Sequence, residues 1–263
     1  MKSVAIAKSI IPLASKDQHF CIDESILNLM VDTAQITKTD VILEIGAGRG
    51  NLTAKLAKRS QKVIAVENDP RFEPVLRELG NSVEIIIDNA LQILPVRTDF
   101  NKIVASIPYQ ICEPLMHFLC AAKPVELSVL LVPKNFAVNL LKHPIFSAFL
   151  KVNLIAEVPK QAFIPPPRVL SEIILIVPRM NLDEGQFIRQ KLYLQRDKNV
   201  KNGLRDAIID LYKKKHRQPF AKKQALEIAA SLKLPDKLLA ASIARMPLQW
   251  YELIGREIKA RNI

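Results

Sequence analysis

Residues 41–53 read Val-Ile-Leu-Glu-Ile-Gly-Ala-Gly-Arg-Gly-Asn-Leu-Thr, and they join a short apolar run to three closely spaced glycines. The apolar run has the length and β-branched content of a buried strand, and the residues after the glycines have a helical pattern. Glycine permits a sharp turn and lets a ligand approach the backbone where any Cβ would clash. Gly46, Gly48 and Gly50 are three of only seven glycines in the chain. The segment therefore predicts a strand, a ligand-binding turn and a helix.

Short apolar strands alternate with helices on both sides of this turn. The predicted strands are Val41–Ile45, Lys62–Val66, Val83–Ile87, Lys102–Ser106, Leu127–Val132, Val152–Val158 and Ile173–Val177. The predicted helices among them are Ser25–Ala34, Leu52–Arg59, Pro70–Leu79 and Glu113–Ala122. This alternation is typical of a parallel sheet covered by helices on both faces. We predict an α/β fold with a doubly wound, Rossmann-like sheet.

Positive charge is concentrated in the C-terminal third of the chain. Residues 1–180 contain 20 Lys and Arg against 17 Asp and Glu, whereas residues 181–263 contain 18 against 9. Beyond a boundary at Pro178–Gly185 the pattern is helical, with short helices at Ala225–Leu232 and Trp250–Ile258. We predict two domains, 1–180 with the glycine loop and 181–263 as a small basic helical domain. Such a domain suits a polyanion, because phosphate contacts release counterions; a solvated helical surface is the other interpretation.

Several classes of protein are excluded by composition. No run approaches the roughly 18 apolar residues of a membrane-spanning helix, and the N-terminus lacks a cleavage site of a signal peptide. The three cysteines, Cys21, Cys112 and Cys120, are too few and too scattered for a disulfide framework or a zinc cluster. We expect a cytoplasmic monomer with no metal site and no membrane partner.

The spacing within the glycine loop indicates its ligand. Gly-x-Gly-x-Gly differs from the Gly-x-Gly-x-x-Gly of dinucleotide-binding proteins, whose loop holds a pyrophosphate. The next predicted strand ends at Val66-Glu67, and an acid there can accept hydrogen bonds from both hydroxyls of a ribose. With Glu44 before the loop, these residues favour S-adenosylmethionine over NAD. A tight turn without a ligand is the alternative.

The segment Ser106-Ile-Pro-Tyr109, after the fourth predicted strand, has features that methylation of a nucleobase amine requires. The exocyclic amine of adenine is a weak nucleophile because its lone pair is delocalised into the ring. Hydrogen bonds from that amine to the Ser106 side chain and the Ile107 carbonyl would favour its nucleophilic form. Pro108 fixes the backbone that presents this carbonyl, and Tyr109 can stack on the base. An X-Pro turn with a half-buried tyrosine is the alternative.

From about Lys16 to at least Ala207, these motifs together resemble the rRNA adenine N6,N6-dimethyltransferase family. The resemblance implies a class I methyltransferase sheet and S-adenosylmethionine as cofactor. It also implies dimethylation of N6 on two adjacent adenosines near the 3′ end of small-subunit rRNA. The partner is then small-subunit rRNA or a precursor of the small ribosomal subunit.

The resemblance assigns roles to individual residues. The implied cofactor-binding residues are Gln18, His19, Glu44, Gly46, Gly48, Glu67, Asp88, Asn89 and Ser106. The implied catalytic residues are Ser106, Ile107, Pro108, Tyr109 and Phe163, the last in the loop Phe163–Val169 where it would stack on a flipped adenine. The implied RNA-binding residues are Arg196, Lys198, Lys201 and Arg205, in a segment that resembles the basic helix opening the family's C-terminal RNA-binding domain.

The chain departs from the family pattern at three positions. Ser106 replaces an asparagine, Asn89 replaces an aspartate, and Asp17 replaces a glycine. The Asn89 carbonyl can still accept a hydrogen bond from the cofactor's adenine amine, but without charge, and the neighbouring Asp88 is a possible substitute. Because serine occurs at the position of Ser106 in other amino-methyltransferases, we expect activity to survive, with the second methylation the most affected step.

Three alternatives remain open from the sequence. One is a methyltransferase of the antibiotic-resistance type that acts on a single large-subunit adenosine; Cys112-Glu-Pro114 and the triple proline of Phe163–Val169 favour the dimethylating branch over it. The second is a catalytically weak ribosome-assembly or transcription factor, against which the intact glycine loop, Glu67 and Tyr109 argue. The third, a small-molecule or DNA methyltransferase, leaves the basic domain unexplained.

Overall fold

The structure is a computed structural model that describes residues 11–12, 18–121, 125–232 and 234–261. The chain forms two compact units. The first comprises Met1–Leu141 and Val152–Pro178, and the second comprises Lys142–Lys151 and Arg179–Ile263. In the described ranges, no helix is both long and apolar enough to cross a membrane.

The strands are β1 (Phe20–Cys21), β2 (Val41–Ile45), β3 (Lys62–Glu67), β4 (Val83–Ile87), β5 (Lys102–Ser106), β6 (Leu127–Pro133), β7 (Leu150–Val158), β8 (Phe163–Ile164) and β9 (Ser171–Pro178). Seven of them form a sheet in the order β4-β3-β2-β5-β6-β9-β7, and β1 pairs with β8. The pairs from β4 to β6 are parallel, whereas β9 is antiparallel to β6.

The first unit contains helices α1 (Glu24–Thr33), α2 (Asn51–Arg59), α3 (Glu73–Arg77), α4 (Ala90–Ile93) and α5 (Cys112–Ala121), and nearly all of α6 (Lys134–Lys142). The second unit contains α7 (Phe146–Phe149), α8 (Glu184–Tyr193), α9 (Val200–His216), α10 (Lys222–Ser231), α11 (Asp236–Ala240) and α12 (Leu248–Arg261). Within it, α9 packs against both α8 and α10, and α12 packs against α8.

The strand order reverses beside β2, and this reversal positions the site. The next strand along the chain, β3, lies on one side of β2, and β5 lies on the other side. In a doubly wound sheet, the loops that leave such neighbouring strands diverge and open a crevice at the carboxyl edge. Because the cores of β2, β3 and β5 are almost completely buried, this edge is a rigid platform.

The predicted strand bounds are confirmed to the residue for β2, β4 and β5. The helix predicted over Pro70–Leu79 is instead a 3₁₀ turn followed by α3, with Pro74 in the first turn of α3, where a missing N–H costs no hydrogen bond. The predicted end of the helix at Ala122 lies outside the described residues. The sequence prediction missed α6 and α8.

The parallel pattern fails at the last strand. The prediction of a parallel sheet does not hold for β9, which begins opposite the end of β6, with Ser171 beside Pro133. A parallel strand is entered through a crossover, usually a helix, whereas β9 is entered from the proline-rich loop at the carboxyl edge. The strand therefore starts at this edge and runs back across the sheet.

Candidate active site

A cavity of about 310 Å³ lies where the loops leave the carboxyl ends of β2 to β5. The predicted cofactor and catalytic residues that line it are Gln18, His19, Glu44, Gly46, Glu67, Asp88, Asn89, Ser106, Ile107, Pro108, Tyr109 and Phe163. Of these two predicted sets, only Gly48 is absent from the lining. The structure thus brings together residues from opposite ends of the first unit's sequence.

The glycine loop has a backbone that other residues rarely adopt. Gly46, Gly48 and Gly50 have φ angles of 76°, 51° and 79°. A Cβ on Gly48 would lie 2.8 Å from the Phe20 ring, and one on Gly46 would lie 3.4 Å from Cδ of Pro108. Gly48 is therefore covered by Phe20 rather than open to the cavity. Both positions need glycine for their backbone conformation, and Gly48 needs it for space as well.

Glu67 ends β3 with its carboxylate held in place by two backbone groups. The Gly48 N–H donates to Oε2 at 2.7 Å, and the Asp69 N–H donates to Oε1 at 2.8 Å. The two carboxylate oxygens offer about four lone-pair sites, so acceptor capacity remains on each oxygen. Burial raises the pKa of Glu67. The side chain is a fixed, bidentate acceptor that matches a pair of neighbouring hydroxyls.

Glu44 lies beneath the glycine loop and is almost completely buried, with 1 % of its surface exposed. Burial raises the pKa of Glu44 to about 8, with a further contribution from the nearby charge of Glu67. Its Oε2 atom has no hydrogen-bond partner among the described residues. Glu44 is therefore mostly protonated at neutral pH, and it lines the cavity as a neutral acid.

This burial predicts a pH-dependent effect of Glu44→Gln. Because the folded-state pKa is about 8, above the ordinary value of 4.5, wild-type folding must keep a proton on Glu44, and stability falls as the pH rises from about 5 to 8. Glutamine resembles the protonated acid and does not titrate. We expect the melting temperature of Glu44→Gln, relative to that of wild type, to rise by roughly 6–12 °C over this range, which corresponds to about 3 kcal/mol.

The matched control is Glu78→Gln, which changes an exposed acid of the same unit. Its difference in melting temperature from wild type should stay nearly constant between these pH values. A constant difference for Glu44→Gln as well would show that Glu44 is ionised in the folded protein.

The N-terminal motif reaches the cavity through the β1–β8 pair. Phe20 pairs with Ile164 and Cys21 with Phe163, so chain segments far apart in sequence lie side by side. The Gln18 side chain donates to Oδ2 of Asp69 at 2.9 Å, and His19 Nδ1 lies 2.8 Å from the Pro165 carbonyl. Asp17, the third departure from the family pattern, lies outside the described residues.

The Pro-Tyr segment leaves β5 at the cavity. The Ile107 N–H donates to the Leu131 carbonyl of β6 at 3.3 Å, which fixes the backbone before Pro108. Tyr109 is half-buried, whereas Phe163 is only 4 % exposed and packs in the hydrophobic core. Tyr109 is thus the more accessible ring for stacking on a base, and the stacking role of Phe163 stays a prediction.

Asp88 and Asn89 are exposed residues after β4, and their side chains have different partners. The side-chain oxygen of Asn89, Oδ1, accepts from the Leu91 N–H at 3.0 Å and caps α4. Asp88 Oδ1 accepts from the Asn89 N–H at 2.6 Å. Since the Asn89 oxygen already serves the helix, the carboxylate of Asp88 is the stronger acceptor at this side of the cavity.

Sequence reasoning missed some residues that line the cavity. Asn68 directly follows Glu67, and Phe20 lies within the N-terminal motif, so both had a local signal. Ser171 is 3 % exposed and lines the cavity at the start of β9. No local signal marks it, because its position depends on the direction of β9.

The predicted RNA-binding residues lie in the second unit, where partners neutralise some of them. Asp206 pairs with Lys198 at 2.8 Å and with Arg205 at 2.7 Å. Arg196 lies over the Tyr193 ring at 5.4 Å, and Lys201 is exposed. The predicted basic helix begins only at Val200, with Asn199 as its cap. Arg196 and Lys198 therefore precede the helix, whereas Lys201 and Arg205 lie on it.

A family model described as ribosomal RNA adenine dimethylase matches residues 14–245. The chain belongs to this family. Among relatives, a Methanopyrus kandleri protein named "Probable ribosomal RNA small subunit methyltransferase A" is 33% identical over 250 residues. The match covers 88% of this chain and 86% of the Methanopyrus kandleri protein. A Pyrococcus abyssi protein with the same name is 32% identical over 203 residues, covering 72% and 74%.

Solved structures agree with membership in the dimethylase family. A dimethyladenosine transferase from Plasmodium falciparum has a TM-score of 0.60 and 25% identity, covering 93% of this chain and 99% of its own. The 23S rRNA methyltransferase ErmE has a TM-score of 0.59 and 18% identity, covering 91% and 99%, which shows a shared fold only. The predicted class I methyltransferase fold is confirmed, and this dimethylase family member is an rRNA adenine methyltransferase.

Proposed function

We propose that the chain transfers methyl groups from S-adenosylmethionine to N6 of two adjacent adenosines near the 3′ end of small-subunit rRNA. The observation that carries the proposal is the single cavity lined by both Glu67 and Ser106–Tyr109. On this proposal, an acceptor for a ribose diol would lie beside acceptors for an adenine amine. The small-subunit names of relatives at 32% and 33% identity support the small subunit over the large one.

The cavity residues fit this cofactor. Glu67 would accept from the ribose hydroxyls, and Asp88 from the adenine amine, while Gln18 and His19 border the cavity where the family resemblance puts the methionine end. The absence of a Cβ on Gly46 leaves space between β2 and Pro108. When bound, S-adenosylmethionine supplies a methyl group on a sulfonium, which is activated for transfer.

The residues of this chain would act on the adenine mainly by positioning it. The Ser106 hydroxyl and the Ile107 carbonyl would accept from the N6 amine, and Tyr109 would stack on the ring, for about 1–3 kcal/mol. Because the methyl donor is already reactive, such orientation contributes more to the rate than a strong base would. The target base must leave its stack to reach this pocket, which costs less in a loop than in a helix.

The proposed role of the second unit is to bind the RNA. Arg196, Lys198, Lys201 and Arg205 would contact phosphates, which position the protein without reading sequence. The shape of the small-subunit rRNA, or of a precursor particle, would then select the adenosines. We propose that the protein acts as a cytoplasmic monomer.

The test is methyl transfer from labelled S-adenosylmethionine to unmethylated small ribosomal subunits, followed by digestion of the RNA and identification of the modified nucleosides. We expect N6,N6-dimethyladenosine in the 3′ fragment and no label in large subunits. The Ser106→Asn variant restores the family residue and should complete the second methylation at least as fast as wild type.

Each other outcome has a distinct meaning. Label in the large subunit would favour the resistance-type alternative. Binding to subunits and cofactor without any transfer would favour the assembly-factor alternative. Monomethyladenosine from wild type, with dimethyladenosine from Ser106→Asn, would locate the limit at the shorter serine side chain.

A further inference from the structure

The second unit carries a basic surface that the family motifs do not include. Between Leu211 and Gln224 the sequence contains six Lys and Arg and no Asp or Glu. Five of these cations form what we call the distal basic surface, which consists of Lys213, Lys214, Arg217, Lys222 and Lys223. They lie on the last turn of α9, its C-cap and the first turn of α10, and all five are exposed.

The charges of the distal basic surface are not paired with acids in the part of the chain that the structure describes. None of its five members makes an ion pair with a described residue, and the sixth cation of the segment, Lys215, pairs with Glu184. By contrast, Lys198 and Arg205 share Asp206. An incoming anion therefore meets free cations on the distal surface, whereas at Asp206 it must compete with a carboxylate.

Helix stability does not account for this arrangement. A helix C-terminus carries about half a negative charge, which favours cations in the last turn of α9, but the four cations from Lys213 to Arg217 exceed that need. Lys222 and Lys223 open α10, where the helix dipole disfavours cations and prefers acids. Their position costs helix stability, so the helix itself does not account for them.

Aromatic contacts hold the two parts of the surface together. The Tyr212 ring, on α9, stacks on the Phe220 ring at 4.1 Å, and Phe220 lies just before α10. The His216 ring lies 4.3 Å from the Tyr212 ring. The Lys214 ammonium lies 4.9 Å from the centre of the Phe187 ring. The turn between the helices is thus packed, and the cations on either side of it are presented together before binding.

We propose that the distal basic surface binds the phosphate backbone of the substrate RNA and is the main electrostatic contact of the second unit. This rests on the proposed function, which makes RNA the partner. Large exposed apolar residues, which a membrane surface would require, are absent from the described residues between Leu211 and Gln224. Phosphate contacts also suit lysine, whose ammonium acts as a point charge without a demand for bidentate geometry.

The experiment compares two variants with wild type. The distal variant carries Lys213→Gln, Lys214→Gln, Arg217→Gln, Lys222→Gln and Lys223→Gln, and the matched variant carries Lys198→Gln, Lys201→Gln and Arg205→Gln. RNA affinity is measured by fluorescence anisotropy at several KCl concentrations. The probes are a 3′ fragment of small-subunit rRNA and an unrelated RNA duplex.

We expect the distal variant to lose about 3 or more from the slope of log affinity against log salt, since each phosphate contact contributes about 0.7–0.9. The matched variant should lose about 1 or less. The melting temperature of the distal variant should equal or slightly exceed that of wild type, because the distal residues are exposed and make no ion pairs with described residues. A wild-type slope in the distal variant, or a larger loss in the matched variant, would overturn the inference.

Methyl transfer and cofactor affinity are measured on the same proteins. A wild type that binds RNA with the expected slope but never methylates it would contradict the proposed function and leave this surface supported. If wild type methylates subunits while the distal variant keeps the wild-type slope, the proposed function is supported and this inference is overturned. Salt-independent binding of wild type to both probes would overturn this inference and leave the proposed function to be decided by methyl transfer.

Discussion

Glu67→Ala is expected to weaken the binding of S-adenosylmethionine by roughly 10- to 100-fold, because a hydrogen bond to a charged group is worth about 1.5–3 kcal/mol. The carboxylate is already oriented by the N–H groups of Gly48 and Asp69, at 2.7 and 2.8 Å. It needs no rearrangement to accept from two hydroxyls. The measurement is isothermal titration calorimetry with the purified protein.

Two further variants separate the causes of this loss. Glu67→Gln keeps the shape and one acceptor oxygen but removes the charge, so its affinity should lie between those of wild type and alanine. Glu78→Ala removes an exposed acid of the same unit and should bind like wild type. Melting curves check that loss of a buried acid has not unfolded the loop. Unchanged affinity in folded Glu67→Ala would place the ribose elsewhere.

Tyr109→Ala is expected to lower the single-turnover rate of methyl transfer by roughly 10- to 100-fold, in line with about 1–3 kcal/mol for base–aromatic stacking. Tyr109 is half-buried at the cavity, and the turn from Pro108, whose carbonyl accepts from the Ile111 N–H at 3.0 Å, holds it there. Removal of the ring leaves the N6 amine with its hydrogen-bond acceptors but without the surface that orients the base.

Tyr109→Phe is the matched control, because it keeps the ring and removes only the hydroxyl. It should retain most of the wild-type rate. Cofactor affinity is measured in parallel, since Tyr109 borders the cavity that Glu67 also lines. If phenylalanine were as slow as alanine, the hydroxyl and not the ring would be the active part. If alanine were as fast as wild type, Phe163 would become the stacking ring.

The strands and the glycine loop were predictable because their signals are local. A β-branched run bounded by polar residues specifies β2, β4 and β5 to the residue, and Gly46 and Gly48 have the positive φ angles that glycine permits. The same holds for Ser106–Tyr109, a contiguous motif whose chemistry depends on its own order. Contiguous motifs of this kind were enough to identify the family.

The second unit was harder to predict. Its charge excess is visible in composition, but the exposure of each cation depends on which acids fold beside it. Asp206 follows Arg205 in sequence, yet it also pairs with Lys198, which precedes α9. In the run Lys213–Lys215, Lys215 pairs with Glu184, which comes from α8.

Local sequence thus specified the strands through their apolar runs, and the glycine loop and the reaction class through contiguous motifs, because each depends on residues within a few positions of one another. Long-range pairing set the rest of the site. The β1–β8 pair brings Gln18 and His19 to the loop after Phe163, and the antiparallel course of β9 places Ser171 at the cavity. Such contacts depend on which distant segments meet, and the free energy of that choice is shared across the whole sheet rather than carried by either segment.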